Sequence, residues 1–374
     1  MNQKELNEIR RRLKPERSCI QHIYGCYVNG AGEIISYIDE SLGLLSREEA
    51  EKYLALLKKT LSGALGKNLL DIGFSTKQVI DSEEHRLLSE LRKSELKDEE
   101  LRESFYRRII DSLNMEDSNY LILLGFDAYD VPHKARDGER EDRGDVFKYF
   151  LCCVCPVKSG RPELGYVPEE QRFHSSPVNQ IVSPPELGFM FPCFDDRCAN
   201  IYSALFYSKN TNELHQELID GLFRVQPPMA PGQQRETFGQ ILSDSLENDC
   251  RFEVVQAVHE QLSERISAHR ESRDPEPLTL SPAELGDILE NSGVSPEEAE
   301  SFCGKCREQF GQEALLRPGN LTDSKRLEIS TPQVKISLDP QFGYLVQTRV
   351  LEGKKYLLIS ADEGLELNGV SVKI

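Results

Sequence analysis

The stretch GFMFPCFDDRCANIYSALFYS, residues 188–208, decides the fold class because two apolar runs flank a short polar segment. The runs GFMFPCF and ANIYSALFYS are rich in the aromatic residues that are typical of buried β-strands. Between them Asp195, Asp196 and Arg197 lie between Cys193 and Cys198. The stretch predicts two strands of a hydrophobic sheet, joined by a polar loop that is a candidate site.

Two further apolar runs extend this sheet. NYLILLGFDAYDVP (119–132) and VFKYFLCCVCPVK (146–158) are almost continuously apolar, which predicts strands that are buried on both faces. Between them lies a charged loop, residues 133–145. CIQHIYGCYVNGAGEIISYI (19–38) predicts a hairpin with its turn at Asn29-Gly30, because this dipeptide favours tight hairpin turns.

Helical patterns surround these strands. Ser46 and Glu49 form a capping box (S-x-x-E), which predicts a helix start, and apolar residues from Ala50 to Leu65 share one face of that helix. Similar patterns predict helices over about 3–13, 83–93, 97–113 and 211–223. The sequence therefore predicts an α+β fold, with a mixed sheet and flanking helices in an N-terminal domain over residues 1–224.

The remaining chain divides into two predicted segments. A helical connector with Pro-rich linkers occupies 225–278, and an acidic helical segment with a small β-meander occupies 279–374. Ser281-Pro282 and Ser295-Pro296 each predict a helix start, with Ser as the cap and Pro in the first turn. Near the C-terminus, Glu352-Gly353 and Asn368-Gly369 predict two hairpin turns.

Composition limits the class of protein. No apolar run approaches the roughly 18 residues of a membrane span, and the N-terminal residues lack the apolar core of a secretory signal. Ten cysteines without an export signal indicate thiols in a reducing cytoplasm. The formal net charge of −18 opposes binding to nucleic acid and to anionic lipid. The basic residues between Arg10 and Arg17 are therefore predicted to form a solvated face.

Several blocks of the sequence are similar to a known family. The blocks of an uncharacterised bacterial family, the domain of unknown function 4317, resemble six stretches of this chain: KKTLSGALGKNLL, NYLILLGFDAYDVP, LCCVCPVK, GFMFPCFDDRCANI, LEGKKYLLI and LELNGVSV. The resemblance covers essentially the whole chain. It implies a soluble intracellular protein of Gram-positive bacteria, and it supplies no catalytic residue, cofactor or substrate.

The aspartates are the candidate catalytic and metal-binding residues. Asp195 and Asp196 would bind Mg²⁺ or Mn²⁺ if Asp127 and Asp130, at the end of a neighbouring strand, lay beside them. Arg197 completes this candidate set. The alternative, which we favour, is that Asp195 or Asp196 stabilises a turn and pairs with Arg197, because Asp is common in turns.

The cysteines have a simpler interpretation. Cys303 and Cys306 have C-x-x-C spacing, but the surrounding residues predict a helix rather than a strand followed by a helix. A zinc site needs about four ligands, and no second C-x-x-C pair is present. We therefore expect buried apolar thiols and no bound cofactor.

The sequence contains no convincing catalytic constellation, neither a G-x-S-x-G nucleophile motif nor a complete Walker A. It therefore favours a non-catalytic binding or scaffold protein with a protein or nucleoprotein partner. One alternative is a divalent-metal-dependent hydrolase or nuclease that uses the aspartates. A third hypothesis is a thiol redox sensor.

Overall fold

The computed structural model describes residues 1–115, 118–132, 146–160, 164–167, 171–175, 180–246, 250–323, 326–362, 364–367 and 369–373. The chain divides into two compact units, Met1–Ala230 and Pro231–Ile374. The division falls within the predicted Pro-rich linker. The predicted charged loop 133–145 lies outside the described residues.

The first unit is built around one large sheet, whose described strand pairs are all antiparallel, whereas the sequence predicted a mixed sheet. The strands of this unit are β1 His22–Val28, β2 Ile34–Ser41, β3 Leu69–Gly73, β4 Tyr120–Asp130, β5 Val146–Ser159, β6 Leu164–Val167, β7 Arg172–Ser175, β8 Gln180–Val182, β9 Leu187–Phe191, β10 Cys193–Asp195, β11 Cys198–Asn200 and β12 Ser203–Ser208. In the sheet the spatial order is β2-β1-β4-β5-β9-β12-β3, and β8 pairs with the end of β5. The two remaining pairs, β6-β7 and β10-β11, form separate hairpins.

Helices cover both faces of this sheet. They are α1 Gln3–Arg12, α2 Arg47–Lys59, α3 Thr76–Asp81, α4 Glu83–Lys93, α5 Glu99–Ser112 and α6 Gln216–Phe223. Side chains from α4, α5 and α6 form one hydrophobic core with one face of the sheet, and those from α1 and α2 form a second core with the opposite face.

Strand β4 shows how a continuous apolar run serves both cores. Successive side chains of a strand point to opposite faces of the sheet. Ile122 and Leu124 accordingly lie in the first core, whereas Leu121 and Leu123 lie in the second. The prediction of strands that are buried on both faces is thus confirmed.

In its described residues, the second unit begins with five helices around a core of their own. They are α7 Pro231–Leu246, α8 Phe252–Ser272, α9 Pro282–Asn291, α10 Pro296–Phe310 and α11 Pro318–Leu321. Both predicted Ser-Pro starts are confirmed, because Ser281 and Ser295 form capping boxes with the glutamates three residues later. The segment predicted as a helical connector contributes α7 and α8 to this core.

Among the described residues, three separate two-stranded hairpins follow in the second unit, in place of the continuous β-meander that the sequence predicted. They pair β13 Leu327–Ser330 with β14 Lys335–Leu338, β15 Val346–Leu351 with β16 Lys354–Ile359, and β17 Leu365–Leu367 with β18 Val370–Val372. A 3₁₀ helix, Pro340–Leu345, precedes β15. The turn at Glu352-Gly353 has positive φ at both residues, as a tight hairpin turn requires. The α+β class is confirmed, and no helix in the described part of the chain is long and apolar enough to cross a membrane.

Candidate functional site

Asp127, the first of the predicted site residues, lies at the end of β4 with its side chain fully buried. Its carboxylate accepts two hydrogen bonds from Arg12, one from Nε to Oδ2 and one from Nη2 to Oδ1, and each is 3.0 Å long. It also accepts hydrogen bonds from the backbone N–H of Cys19 at 3.1 Å and from the hydroxyl of Tyr149 at 2.7 Å. These four donors satisfy both carboxylate oxygens.

The electrostatics around Asp127 are those of a buried ion pair. Burial opposes the charge of Arg12, but the hydrogen bonds and negative charge of Asp127 raise the pKa of Arg12 above its usual value. Burial, followed by the charge of Asp127, raises the pKa of Tyr149. A metal ion could bind Asp127 only by displacing Arg12, which would leave a partly buried guanidinium without its partner. Arg12, predicted as part of a solvated basic face, in fact carries this ion pair.

The other predicted acidic residues lie in or beside the β10-β11 hairpin. Asp196 and Arg197 form its turn with φ of 47° and 59°, which is the left-handed region that tight hairpin turns use. Asp195 accepts hydrogen bonds from the Met1 amino group and from the Asn200 side chain, each at 3.1 Å. Burial opposes its charge, but the Met1 amino group lowers the pKa of Asp195.

Arg197 does not pair with the neighbouring aspartates. Its Nη1 donates to Glu8 Oε2 at 3.0 Å, and its Nη2 donates to the carbonyl of Pro132 at 3.1 Å. Its backbone N–H donates to Glu5 Oε1 at 3.1 Å. The expected pairing of Asp195 or Asp196 with Arg197 was therefore wrong. The segment is a turn, as predicted, but it closes the separate β10-β11 hairpin rather than joining two strands of the large sheet.

Helix α1 brings several of these residues together. One face of α1 carries Glu5, Glu8 and Arg12, which are spaced three and four residues apart. Both glutamates accept hydrogen bonds from Arg197, and Glu8 also accepts one from Tyr129. Arg12 donates to Asp127. Asp130 and Asp196 are exposed. Within the described ranges, no group of three or more His, Cys, Asp or Glu side chains is arranged to hold a metal ion. The contacts instead fasten α1 against β4 and the β10-β11 hairpin.

Most cysteines lie in the cores. Cys303 and Cys306 are buried within α10, which confirms the prediction of helical, apolar thiols. Burial raises the pKa of Cys193 and of Cys306 to about 12, so that very little reactive thiolate is present at neutral pH. Three cysteines are exposed, namely Cys19, Cys198 and Cys250.

The C-terminal hairpins present a different surface, which the sequence pattern did not reveal as exposed. In the β17-β18 hairpin, Leu365 pairs with Val372 and Leu367 with Val370, so that all four side chains share one face. Their exposed fractions are 45% and 39% for the first pair and 66% and 64% for the second. Glu366 and Ser371 occupy the opposite face. The hairpin is thus amphipathic, and its apolar face is uncovered by the described residues.

The β15-β16 hairpin adds exposed apolar and basic side chains. Leu351, Tyr356 and Leu358 share one of its faces and are 37–47% exposed. On the other face, Val346 is buried and Thr348 donates a hydrogen bond to Glu253 of α8. The base of this hairpin is therefore anchored to the helices. We define β15-β16 and β17-β18 together as the hairpin surface.

The comparisons with known proteins identify the family but no activity. The family model described as a domain of unknown function (DUF4317) matches residues 1–370. The chain belongs to the DUF4317 family. No curated protein and no solved structure matches it. The function of this DUF4317 protein must therefore be argued from its own residues.

Proposed function

We propose that this DUF4317 protein is a non-catalytic binding protein that docks a protein partner on its hairpin surface. The observation that carries the proposal is the open apolar face of β17-β18, formed by Leu365, Leu367, Val370 and Val372. A two-stranded hairpin is marginally stable in water unless its apolar face is covered. Burying each of these half-exposed side chains against a partner would contribute roughly 1 kcal/mol.

The free strand edges suggest how a partner would bind. Neither two-stranded sheet pairs with a third strand in the described part of the chain, so each presents edge N–H and C=O groups. An extended segment can add to such an edge, with backbone hydrogen bonds for affinity and alternate side chains for specificity. The hairpin surface combines such edges with apolar faces in one short length of chain.

The charge of the β15-β16 part of the surface indicates the chemistry of the partner, whereas β17-β18 carries the carboxylate of Glu366. The β15-β16 hairpin carries Arg349, Lys354 and Lys355 but only one carboxylate, Glu352, although the chain has a net charge of −18. Its local charge is therefore three minus one, or +2. We assign the partner as a protein with an extended apolar segment flanked by Asp or Glu. Three cations are few against the charge of the whole chain, which disfavours a nucleoprotein partner.

We also place the protein in the cytoplasm. The ten cysteines are free thiols, which fits a reducing compartment. The alternative of a metal-dependent hydrolase lacks a supporting observation, because the described contacts of Asp127 and Asp195 are to Arg12, Tyr149, Met1 and Asn200.

Site-specific photo-crosslinking tests the proposal. A benzophenone amino acid replaces Leu367 on β17 in one variant and Leu44, which is 89% exposed in the first unit, in the control. In the native cell, we expect a discrete adduct with a second protein from position 367 and none from position 44. The purified partner should then bind the wild type and the Leu44→Glu variant equally, and the Leu367→Glu variant at least about tenfold more weakly.

Three outcomes would overturn the proposal. They are the same adducts from both positions, no adduct from position 367, and an adduct that contains only this chain. The last outcome would assign the surface to self-association instead.

A further inference from the structure

A pocket of about 420 Å³ lies beside α4 in the first unit, away from the acidic residues that the sequence singled out. Helical spacing places Ser82, Arg86, Ser89 and Lys93 along one side of α4, and all of them line the pocket. Ile80 at the end of α3 and Ile201 contribute apolar walls. The volume is within the range of small-molecule sites, which is about 300–1,000 Å³.

The buried wall of the pocket is rigid and polar. His85 is 3% exposed, and its Nε2 lies 2.9 Å from the carbonyl of Ile201. A carbonyl only accepts, so Nε2 carries the proton and donates it. In neutral His85, Nδ1 then accepts the hydrogen bond from Ser89 Oγ at 3.4 Å. Edge contacts with Phe74 and Phe191, whose ring centroids lie 5.1 and 5.6 Å away, fix the imidazole plane.

The charge in the pocket is opposite to that of the chain. Its lining carries three cations, Arg86, Arg92 and Lys93, against the one carboxylate of Asp81. Among the described residues, none of the three cations forms an ion pair. Arg92 is half-buried, and its Nε donates to the carbonyl of Lys148 at 2.8 Å. Burial lowers the pKa of Arg92, since no carboxylate offsets the desolvation of its guanidinium.

These features match the requirements of a phosphoryl group. A guanidinium presents planar pairs of N–H donors to phosphate oxygens, and an ammonium supplies a compact charge. The hydroxyl of Ser82 adds a neutral donor at the same wall, whereas the hydroxyl of Ser89 already donates to His85. An anion bound in the pocket would offset the unfavourable desolvation of the Arg92 guanidinium charge.

We propose that the α4 pocket binds a small phosphorylated molecule, with its phosphoryl group between Arg86, Arg92 and Lys93 and its organic part against Ile80 and Ile201. This site is independent of the hairpin surface, so either assignment can fail without the other. In the sequence, the pocket corresponds to basic and hydroxyl residues that recur at helical spacing from Ser82 to Lys93. The same residues are also typical of an ordinary polar helix, so the pattern alone did not indicate a site.

Calorimetric titration of the full chain with pyrophosphate tests the proposal, at constant ionic strength. We expect saturable binding to the wild type, and binding about tenfold or more weaker to the Arg86→Gln/Lys93→Gln double variant. Both side chains are exposed, so that folding should be unaffected. The matched control, Lys58→Gln/Arg107→Gln, removes the same charge from α2 and α5 outside the pocket and should bind as the wild type does.

The competing outcomes are distinct. Absence of saturable binding to the wild type, or equal weakening in the double variant and the control, would overturn the site. In competition titrations, we expect inorganic phosphate to displace pyrophosphate more effectively than acetate does. Equal displacement by the two anions would overturn the phosphoryl assignment, because the pocket would then be a general anion site. A thermal shift with pyrophosphate, present in the wild type and lost in Arg92→Gln, provides a second readout of the expected result.

Discussion

The sheet of the first unit and the hairpin surface of the second both consist of apolar β-strands, but their surroundings are opposite. In β4, the side chains of Leu123 and Leu124 are both fully buried, because helices cover each face of the sheet. In β17-β18, Leu367 and Val370 remain about two-thirds exposed. Both regions have apolar residues in β-strands. Within the described chain, helices cover the apolar faces of the sheet, whereas the apolar face of β17-β18 stays exposed. This difference is the basis of our proposal that the hairpins bind a partner and that the sheet is their scaffold.

The largest expected effect comes from the buried ion pair of the scaffold. Asp127→Asn should lower the free energy of unfolding by about 3–5 kcal/mol, because Arg12 would keep its charge without a charged partner. Denaturant unfolding followed by circular dichroism measures this loss. Asp130→Asn, at the exposed end of the same strand, should change stability by at most about 0.5 kcal/mol. Equal losses in the two variants would contradict the structural role of Asp127.

Leucine truncations compare the two regions directly. Leu124→Ala should cost about 2–5 kcal/mol, because it opens a cavity in a closed core. Leu367→Ala should change the stability of the isolated chain by no more than about 0.5 kcal/mol. Thermal and chemical unfolding of both variants provide the measurement. A large loss from Leu367→Ala would mean that the chain covers its own hairpin surface.

Close packing within the sheet gives a smaller effect. A Cβ on Gly188 would lie 2.4 Å from the carbonyl oxygen of Cys152 and 2.6 Å from Thr60 Cγ2. Gly188→Ala should therefore destabilise the protein by about 1–3 kcal/mol, as overpacking does. Gly73→Ala on β3 is the matched control, because a Cβ at Gly73 meets no atom within 4 Å. The same unfolding assay should show no loss for the control, and a loss as large as that of Gly188→Ala would contradict this account of packing.

The smallest expected effect is electrostatic. Hydrogen bonds from Lys97 and Lys148 lower the pKa of Glu95 to about 2. Since the folded pKa lies below the unfolded value of about 4.3, the ion pairs stabilise the protein above pH 4.3 and lose that effect as the pH falls towards 2. Glu95→Gln should therefore cost less than about 1 kcal/mol at pH 7, because these side chains are partly exposed.

The difference between wild type and Glu95→Gln should vanish near pH 2. Unfolding midpoints measured from pH 7 to pH 2 test this, with Glu366→Gln on the hairpin surface as the control. A difference that stays constant with pH would show that these ion pairs do not stabilise the folded chain.

Local signals in the sequence predicted much of the fold. The capping boxes at Ser46, Ser281 and Ser295 and the tight turn at Glu352-Gly353 depend on residues within a few positions of one another. Continuous apolar runs likewise identified β4 and β5. Such signals are local, so one sequence is enough to show them.

Contacts between distant residues could not be predicted in this way. Asp127 pairs with Arg12, which is 115 residues away, and Arg197 pairs with Glu8 across 189 residues. No local pattern distinguishes an aspartate that binds arginine from one that binds a metal ion. Exposure of the hairpin surface was hidden for the same reason, because an alternating pattern predicts an apolar face but not whether anything covers it.

Hydrogen–deuterium exchange of the chain, at a concentration low enough to exclude self-association, tests whether the hairpin surface is uncovered in the isolated protein. We expect rapid exchange for the amides of β17 and β18 in the isolated protein, with slow exchange in β4 and β5. Protection of β17 and β18 to the same degree as β4 would contradict this expectation, because the chain itself would then cover the face that we assign to a partner.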